Sequence, residues 1–432
     1  MAWEFSTDPD YEKQLAWVRD FVAAKIAPLD LVLGSPYNKS DARAMTLARP
    51  LQDEVRLQGL WAAHLRKELG GGGYGQVKLA LLNELLGNSR WAPSIFGCQA
   101  PDSGNAEILA HFGTEWQKQQ YLQPLLDGTI SSCYAMTEPH AGADPALFTT
   151  RAVRDGDHWV INGEKWFCTN ARWASFFIVM VVTDPEVSIY RGMSIFLVPA
   201  GTPGLEIVRN VGVGGEPEDD WSHAYLRFTD LRVPADHLLG EPGDAFAIAQ
   251  TRLGGGRLHH AMRTIGQVRA VLDMLCERAL SRRTRTGLLA DYGTVQEAIA
   301  DSWIKMEQFR LLVLRTAWLI DRTNDYRSVR KDIAAVKAAM PEVFHDVVLR
   351  AMHIHGALGV STEMPFANLL IQAETMALVD GPTEVHKATV ARQLLREYEP
   401  VSTLFPSEHI PTRRATALAD LANRLEHEVV NS

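Results

Sequence analysis

The chain has 432 residues, of which 46% are hydrophobic and 22% are charged, a composition that excludes disorder, a collagen repeat and a disulfide scaffold. The net charge of −9 disfavours nucleic-acid binding, because binding to a phosphate backbone is driven by a surplus of Lys and Arg. No apolar run reaches the roughly 18 residues of a membrane span, and the first residues lack the pattern of a secretory signal. The four cysteines are widely spaced, which predicts a reducing, cytoplasmic location.

The length predicts about three domains, since a domain commonly has about 150 residues. Hydrophobic patterning places a helical domain at residues 1–132, a β domain at 133–243 and a second helical domain at 244–400. Residues 401–432 form a C-terminal tail, with an amphipathic helix predicted at 413–429.

Apolar residues recur at helical spacing over 15–26, and Pro28 is expected to end this first helix. Further helices are predicted at 51–59 and 77–86. The glycine-rich stretch 70–75 lacks the Lys-Ser/Thr pair of a phosphate-binding loop and is interpreted as a surface turn.

The middle region combines turn signals with short strand-like segments, which is typical of a small sandwich or barrel. Asp155-Gly156 and Asn162-Gly163 are interpreted as hairpin turns. The predicted strands are 159–161, 165–169, 176–182, 193–198, 205–208 and 225–228.

Long apolar stripes joined by short loops predict a helical bundle in the C-terminal region. One of these stripes contains Ile299, Trp303, Met306 and Phe309. The eleven tryptophans are predicted to serve mainly in packing, because Trp buries a large apolar area.

Four motifs occur along the chain in a recognisable order. Residues 134–145 read YAMTEPHAGADP, 163–170 read GEKWFCTN, 353–360 read HIHGALGV and 379–392 read VDGPTEVHKATVAR. Together they resemble the acyl-CoA dehydrogenases, and their wording is most similar to the acyl-CoA dehydrogenase 10/11-like subgroup. The resemblance implies an α+β fold with an N-terminal helical domain, a middle β-barrel or sandwich domain and a C-terminal four-helix bundle.

The side chains of these motifs suit a flavin. The Thr137 hydroxyl and the Gly142 backbone can bind a polar ring edge and a diphosphate, and Trp166 or Phe167 can stack on a flat ring. The resemblance implies FAD as the cofactor, although Phe167 stands where Trp is usual. The implied cofactor contacts are Tyr134, Met136, Thr137, Gly142, Ala143, Phe167, Cys168, Thr169, Arg282, Thr284, Arg285, His353, Gly356, Ala357, Pro382, Thr383 and Glu384.

The implied substrate contacts are Ala143, Arg257 and Gly381, with Ala143 replacing the usual Ser. No metal site is predicted. Adjacent His259 and His260 do not share a helix face, and they are interpreted as lining or supporting the acyl pocket.

Asp380 is the candidate base. Family members carry their catalytic carboxylate either at this position, usually as Glu, or just before the Arg matched by Arg257, where this chain has Gly256. Oxidation of an acyl-CoA thioester to the trans-2-enoyl form removes an α-proton, which Asp380 would take, and a β-hydride, which the flavin N5 would accept. Asp380 also has an alternative reading as a turn residue, since Asp-Gly-Pro is a strong turn signal.

Two other functions stay open at this point. Nitroalkane oxidases share the scaffold and use an Asp base, but their partner Arg corresponds to Lys387 here. A non-catalytic flavin-binding assembly protein is the second alternative. For a dehydrogenase, the resemblance implies a homodimer or homotetramer, because Arg282 and its neighbours would reach the flavin of another subunit. It also implies an electron-transfer flavoprotein as electron acceptor and a role in fatty acid β-oxidation.

Overall fold

The computed structural model describes residues 6–69, 71–142 and 144–430, so the predicted contact Ala143 lies outside the described residues. By internal contacts the chain divides into two compact units, Met1–Lys387 and Ala388–Ser432. The large unit contains the N-terminal helices, the sheet and most of the C-terminal helices.

The N-terminal region is helical, as predicted. Its first helix begins after Asp8, whose carboxylate accepts a hydrogen bond from Tyr11 N–H at 2.9 Å. The predicted second helix begins nine residues earlier than expected, because Asp41 caps it through Ala44 N–H at 3.0 Å. The helices of the described residues here are α1 (Pro9–Phe21), α2 (Ala42–Leu57), α3 (Gln76–Leu86), α4 (Ala92–Ile95), α5 (Asp102–Phe112), α6 (Glu115–Gln117) and α7 (Gln123–Leu126).

The middle region forms one eight-stranded mixed sheet in the order β6-β7-β3-β2-β4-β5-β8, with β1 pairing parallel to β4. The strands are β1 (Ser132–Ala135), β2 (Arg151–Asp155), β3 (His158–Lys165), β4 (Phe176–Val182), β5 (Met193–Pro199), β6 (Leu205–Val211), β7 (His223–Pro234) and β8 (Leu238–Leu239). The prediction for β4 is confirmed at both ends. Alternate residues of β4 contribute to two different apolar clusters, so this strand is buried on both faces.

Two predictions within the hairpin are wrong. Asn162-Gly163 is not a turn but lies inside β3 at a bulge, where the pairing with β7 shifts register. The segment 165–169 is not a strand, since β3 ends at Lys165 and Phe167 has a φ of 53°. Side-chain alternation therefore does not extend from Trp166 to Thr169.

Gly163 is required by a close approach of two backbones. Its φ is 140°, and a Cβ at this position would lie 2.6 Å from the Cα of Thr150. We expect Gly163→Ala to lower the free energy of unfolding by about 3 kcal/mol, because both the backbone conformation and the overlap are unfavourable. Urea-induced unfolding measures the loss.

Gly156→Ala is the matched control. Gly156 also has a positive φ, 64°, but nothing lies within 4 Å of the Cβ position. It should cost only about 1 kcal/mol, the backbone contribution alone. Equal losses in the two variants would show that the contact with Thr150 contributes nothing.

The C-terminal region consists of long helices around α8, which packs against α3, α5, α9 and α10. The helices are α8 (Ala245–Ser281), α9 (Gly293–Thr323), α10 (Arg330–His355), α11 (Phe366–Leu378) and α12 (Thr383–Leu395). One apolar cluster joins the N-terminal helices to α8, α9, α10 and α11. The predicted stripe on α9 is partly wrong, because Trp303 is 55% exposed and the buried stripe passes through Ser302, Met306 and Phe309 instead.

The small unit contains α13 (Ile410–Val430), which confirms the amphipathic helix predicted for the tail. Ahead of this helix, the rings of Phe405 and His409 stack with their centroids 4.0 Å apart. Throughout the described ranges, no helix combines the length and apolar character that a membrane crossing requires.

Candidate functional site

A buried ion pair ties the loop between β1 and β2 to the end of β3. Lys165 Nζ lies 2.9 Å from Glu138 Oε1 and donates to the Met136 carbonyl at 2.8 Å. The carboxylate of Glu138 also accepts hydrogen bonds from Thr149 N–H at 2.7 Å and from Thr150 N–H at 3.1 Å. The side chains of both ions are almost fully buried, so each compensates the desolvation of the other.

These donors decide the ionisation of Glu138. Burial alone raises the pKa of its carboxyl group. The Lys165 ammonium and the Thr149 N–H outweigh burial and hold the pKa below its usual value. The loop therefore carries a charged carboxylate in the folded protein.

The ion pair places the two predicted flavin-facing segments side by side. Trp166 N–H donates to the Thr137 carbonyl at 2.8 Å. Phe167 follows in a left-handed conformation and is 44% exposed, with its ring centroid 5.0 Å from that of Trp166. The aromatic ring predicted to address a flavin thus lies at the surface of the segment.

Cys168 and Thr169 are held by the neighbouring strand β7. The Cys168 thiol is buried, and the N–H and C=O of this residue both pair with Ala224 at 3.1 Å. The Thr169 hydroxyl lies 3.0 Å from His223 Nδ1. Their side chains are therefore already packed or hydrogen bonded.

We expect Lys165→Met to lower the free energy of unfolding by about 3–5 kcal/mol, because it leaves the Glu138 carboxylate buried without a counterion. The double variant Glu138→Gln/Lys165→Met should recover much of this loss. Because the folded-state pKa of Glu138 is lowered, the carboxylate's contribution is complete above about pH 4.3 and is lost as the pH falls through the folded-state value. Urea-induced unfolding at several pH values tests both points.

Lys118→Met is the matched control. Lys118 pairs with Glu115 at 3.0 Å, but Glu115 is exposed, so the change should cost less than about 1 kcal/mol. If Lys165→Met cost no more than Lys118→Met, the buried pair would not support the loop.

The turn after α11 carries Asp380 in a left-handed conformation, with a φ of 57° followed by 106° at Gly381. The Asp380 carbonyl accepts hydrogen bonds from Arg257 Nε at 3.0 Å and from His386 Nε2 at 3.2 Å. Because a carbonyl only accepts, His386 must carry its proton on Nε2. The turn is thereby attached to α8 and to the first turns of α12.

The Asp380 carboxylate faces α8. Its side chain is 13% exposed, and Oδ2 lies 3.8 Å from His260 Nε2. A Cβ at Gly256 would lie 3.4 Å from the same oxygen, so the carboxylate lies directly against this position of α8. The two alternative positions of the family's base thus lie next to each other in space.

The imidazoles near Asp380 are neutral. Burial lowers the pKa of His260 to about 4, although Asp380 opposes the shift, and burial likewise lowers the pKa of His386 to about 4. The nearby Arg257 is also buried on α8. At neutral pH the side chains that can offer positive charge to Asp380 are therefore Arg and Lys.

Tyr134 lies on β1, which leads into the loop that carries Glu138, and its hydroxyl is also influenced by Asp380. The guanidinium carbon of Arg252 lies 4.1 Å from the centre of its ring. Burial raises the pKa of Tyr134 to about 12, with Arg252 opposing and Asp380 reinforcing the shift. Its buried hydroxyl has no hydrogen-bond partner among the described residues.

The remaining predicted contacts fall into two further groups. Pro382 directly precedes α12, and Thr383 and Glu384 begin it; the Thr383 hydroxyl donates to the Ala377 carbonyl at 3.3 Å. The other group lies at the ends of α8 and α10, where Arg278 donates to the His355 carbonyl at 3.5 Å. Thr284 is half-buried and donates to the Gly287 carbonyl at 3.0 Å, and the other members are exposed: Arg282, Arg285, His353, Gly356 and Ala357.

Sequence reasoning missed the ion pair and two neighbours of Asp380. Glu138 lies in the motif at 134–145 and Lys165 in the motif at 163–170. Their opposite charges, each close to a predicted strand, were the feature of the sequence that could have indicated an ion pair. His386 lies inside the fourth motif, six residues after Asp380. Lys337 lies in the apolar stripe of α10, and no feature of its sequence surroundings indicates its proximity to Asp380.

Comparison with known proteins identifies the family. The chain matches the acyl-CoA dehydrogenase N-terminal domain over residues 8–129, the middle domain over 133–231 and the C-terminal domain over 243–395. The chain belongs to the acyl-CoA dehydrogenase family. The protein is therefore an oxidoreductase that acts on acyl-CoA and uses FAD.

Individual relatives agree with this assignment. Probable acyl-CoA dehydrogenase FadE2 of Mycobacterium tuberculosis is 41% identical over 83% of this chain and 88% of its own length. Acyl-CoA dehydrogenase family member 11 of Mus musculus is 36% identical over 89% of this chain, which spans 50% of that relative. A putative acyl-CoA dehydrogenase structure from Mycobacterium abscessus has a TM-score of 0.84 at 37% identity, covering 91% of this chain and all of its own.

The described residues fit FAD on structural grounds. Met136 and Thr137 are half-buried beside the exposed Phe167 ring. Gly142 has a φ of 54° with open space where a side chain would be, so a diphosphate can approach its backbone. The unpartnered Tyr134 hydroxyl offers a further polar contact.

Proposed function

We propose that the protein oxidises an acyl-CoA thioester to the trans-2-enoyl-CoA with Asp380 as the base. The observation that carries the proposal is the Asp380 turn, in which the carboxylate faces Gly256 of α8 while Arg257 and His386 hold the backbone carbonyl of the same residue. Two donors on the carbonyl fix the turn, so the mostly buried carboxylate keeps its orientation toward α8.

In this proposal the Asp380 carboxylate takes the α-proton of the thioester. When bound, FAD supplies the acceptor for the β-hydride at its N5 position. The α-proton and β-hydride leave adjacent carbons, so a double bond forms between them. Asp380 is one methylene shorter than Glu, and its position matters because a 1 Å misplacement costs on the order of a hundredfold in rate.

The N–H of Asp380 suits the second task of the site, which is to polarise the thioester carbonyl. Among the described residues it donates no hydrogen bond. A backbone donor aimed at a developing negative charge stabilises the transition state. Base and donor would then belong to the same residue, and Arg257 would fix both by holding the Asp380 carbonyl.

We further propose that the flavin is held by Met136, Thr137, Gly142 and Phe167, with the Arg282 and His353 groups reaching the flavin of a second subunit. This requires a homodimer or a homotetramer. An electron-transfer flavoprotein is the proposed electron acceptor, and β-oxidation in the cytoplasm is the proposed setting.

We expect Asp380→Asn to retain FAD and to lose at least about a thousandfold in the rate of flavin reduction, because Asn keeps the shape but cannot take a proton. The measurement is anaerobic stopped-flow bleaching of flavin absorbance with a panel of acyl-CoA substrates. Retained reduction in Asp380→Asn would reject the base assignment.

Glu374→Gln is the matched control, since Glu374 is an exposed carboxylate on α11 and should reduce at the wild-type rate. A nitroalkane series tests the alternative oxidation. Bleaching by a nitroalkane and by none of the acyl-CoA substrates would reject dehydrogenation.

A further inference from the structure

Lys337 is a buried cation that the proposed reaction does not yet use. It lies on α10 with its side chain fully buried in the apolar cluster shared with α11. Its Nζ donates a hydrogen bond to the Met376 carbonyl. A buried ammonium is costly unless a negative charge lies nearby, so this position calls for a counterion.

The carboxylate that acts on Lys337 is Asp380. Burial lowers the pKa of Lys337 to about 8, Asp380 opposes this shift, and Arg257 adds to it. Lys337 is therefore largely charged at neutral pH.

Lys337 also holds the helix that leads into the base. Met376 lies in the last turn of α11, where carbonyls have no partner within the helix. A Lys side chain at a helix C-terminus satisfies such a carbonyl and interacts favourably with the helix dipole. The left-handed turn begins directly afterwards, so any shift of this last turn would move Asp380.

We propose that Lys337 is a positioning residue for the base: its hydrogen bond to the Met376 carbonyl fixes the end of α11 and thereby the turn that carries Asp380. The proposal rests on the proposed function of Asp380. It adds a group from a third helix to the Arg257 and His386 contacts.

The other charged or titratable groups around Asp380 differ from Lys337 in that their charge stays constant between pH 6 and 10. They are Arg257, Arg263 and His260 from α8, His386 from α12 and Tyr134 from β1. The arginines stay charged, the two histidines titrate near pH 4 and Tyr134 near pH 12. Between pH 6 and 10, Lys337 is thus the member of this set whose charge changes.

The test compares Lys337→Met, which removes charge and donor, with Lys337→Gln, which keeps a donor without charge. Flavin reduction by acyl-CoA should slow by about tenfold or more in Lys337→Met, because the end of α11 loses its donor, and by less in Lys337→Gln. The wild-type rate should change above about pH 8, where Lys337 loses its charge, and this change should be absent from both variants. Lys305→Met, at a half-buried ion pair on α9, should leave the rate and its pH dependence unchanged.

Thermal unfolding across pH 7–10 gives a readout that does not depend on turnover. Because the folded-state pKa of Lys337 is lowered, the wild type should gain stability relative to Lys337→Met as the pH rises above 8. Asp380→Asn should begin this gain at lower pH, since it removes the charge that holds the Lys337 proton.

The outcomes separate the two proposals. An unchanged rate of flavin reduction in Lys337→Met, or a gain at the same pH in Asp380→Asn and wild type, would overturn the role of Lys337. Normal flavin reduction in Asp380→Asn would instead overturn the proposed function. If Lys337→Gln slowed flavin reduction as much as Lys337→Met did, the hydrogen bond to Met376 would not position the turn, and the proposal would be rejected.

Discussion

The Lys165–Glu138 ion pair is the constraint on which the proposed flavin-binding region depends. It joins a loop that has little regular structure to the end of a strand, and the carboxylate also binds the two residues that lead into β2. The ion pair thereby supports the hydrogen bond from the Trp166 N–H to the Thr137 carbonyl. The pair thus connects three segments: the loop after β1, the residues before β2 and the end of β3.

The order of the helical, β and helical regions could be predicted from the sequence, because it depends on local patterns. Strand β4 is a continuous apolar run, and Asp380 lies in a recognisable motif. Asn162-Gly163 was misread because the same dipeptide serves a turn or a bulge, and only the position of Thr150 decides between them. Lys337 could not be predicted, since its role depends on α10 packing against the end of α11, a contact between residues far apart in the chain.

The chain is acidic overall, but the charged side chains around Asp380 are mainly positive. Around one carboxylate the structure gathers Arg257, Arg263 and Lys337, while the adjacent histidines are kept neutral by burial. The site proposed to receive the anionic CoA and FAD therefore has a surplus of positive charge even though the protein carries −9 overall. Net charge describes the solvent-facing surface here and says little about the interior of the bundle.

The left-handed backbone at Asp380 suits the residue that stands there. Asp is among the few residues other than Gly that adopt this conformation at low cost, because its short polar side chain can interact with nearby backbone. A Glu at the same place would reach further but would favour a different turn, moving the N–H as well as the carboxylate. In this turn the length of the side chain and the shape of the backbone therefore cannot be changed independently.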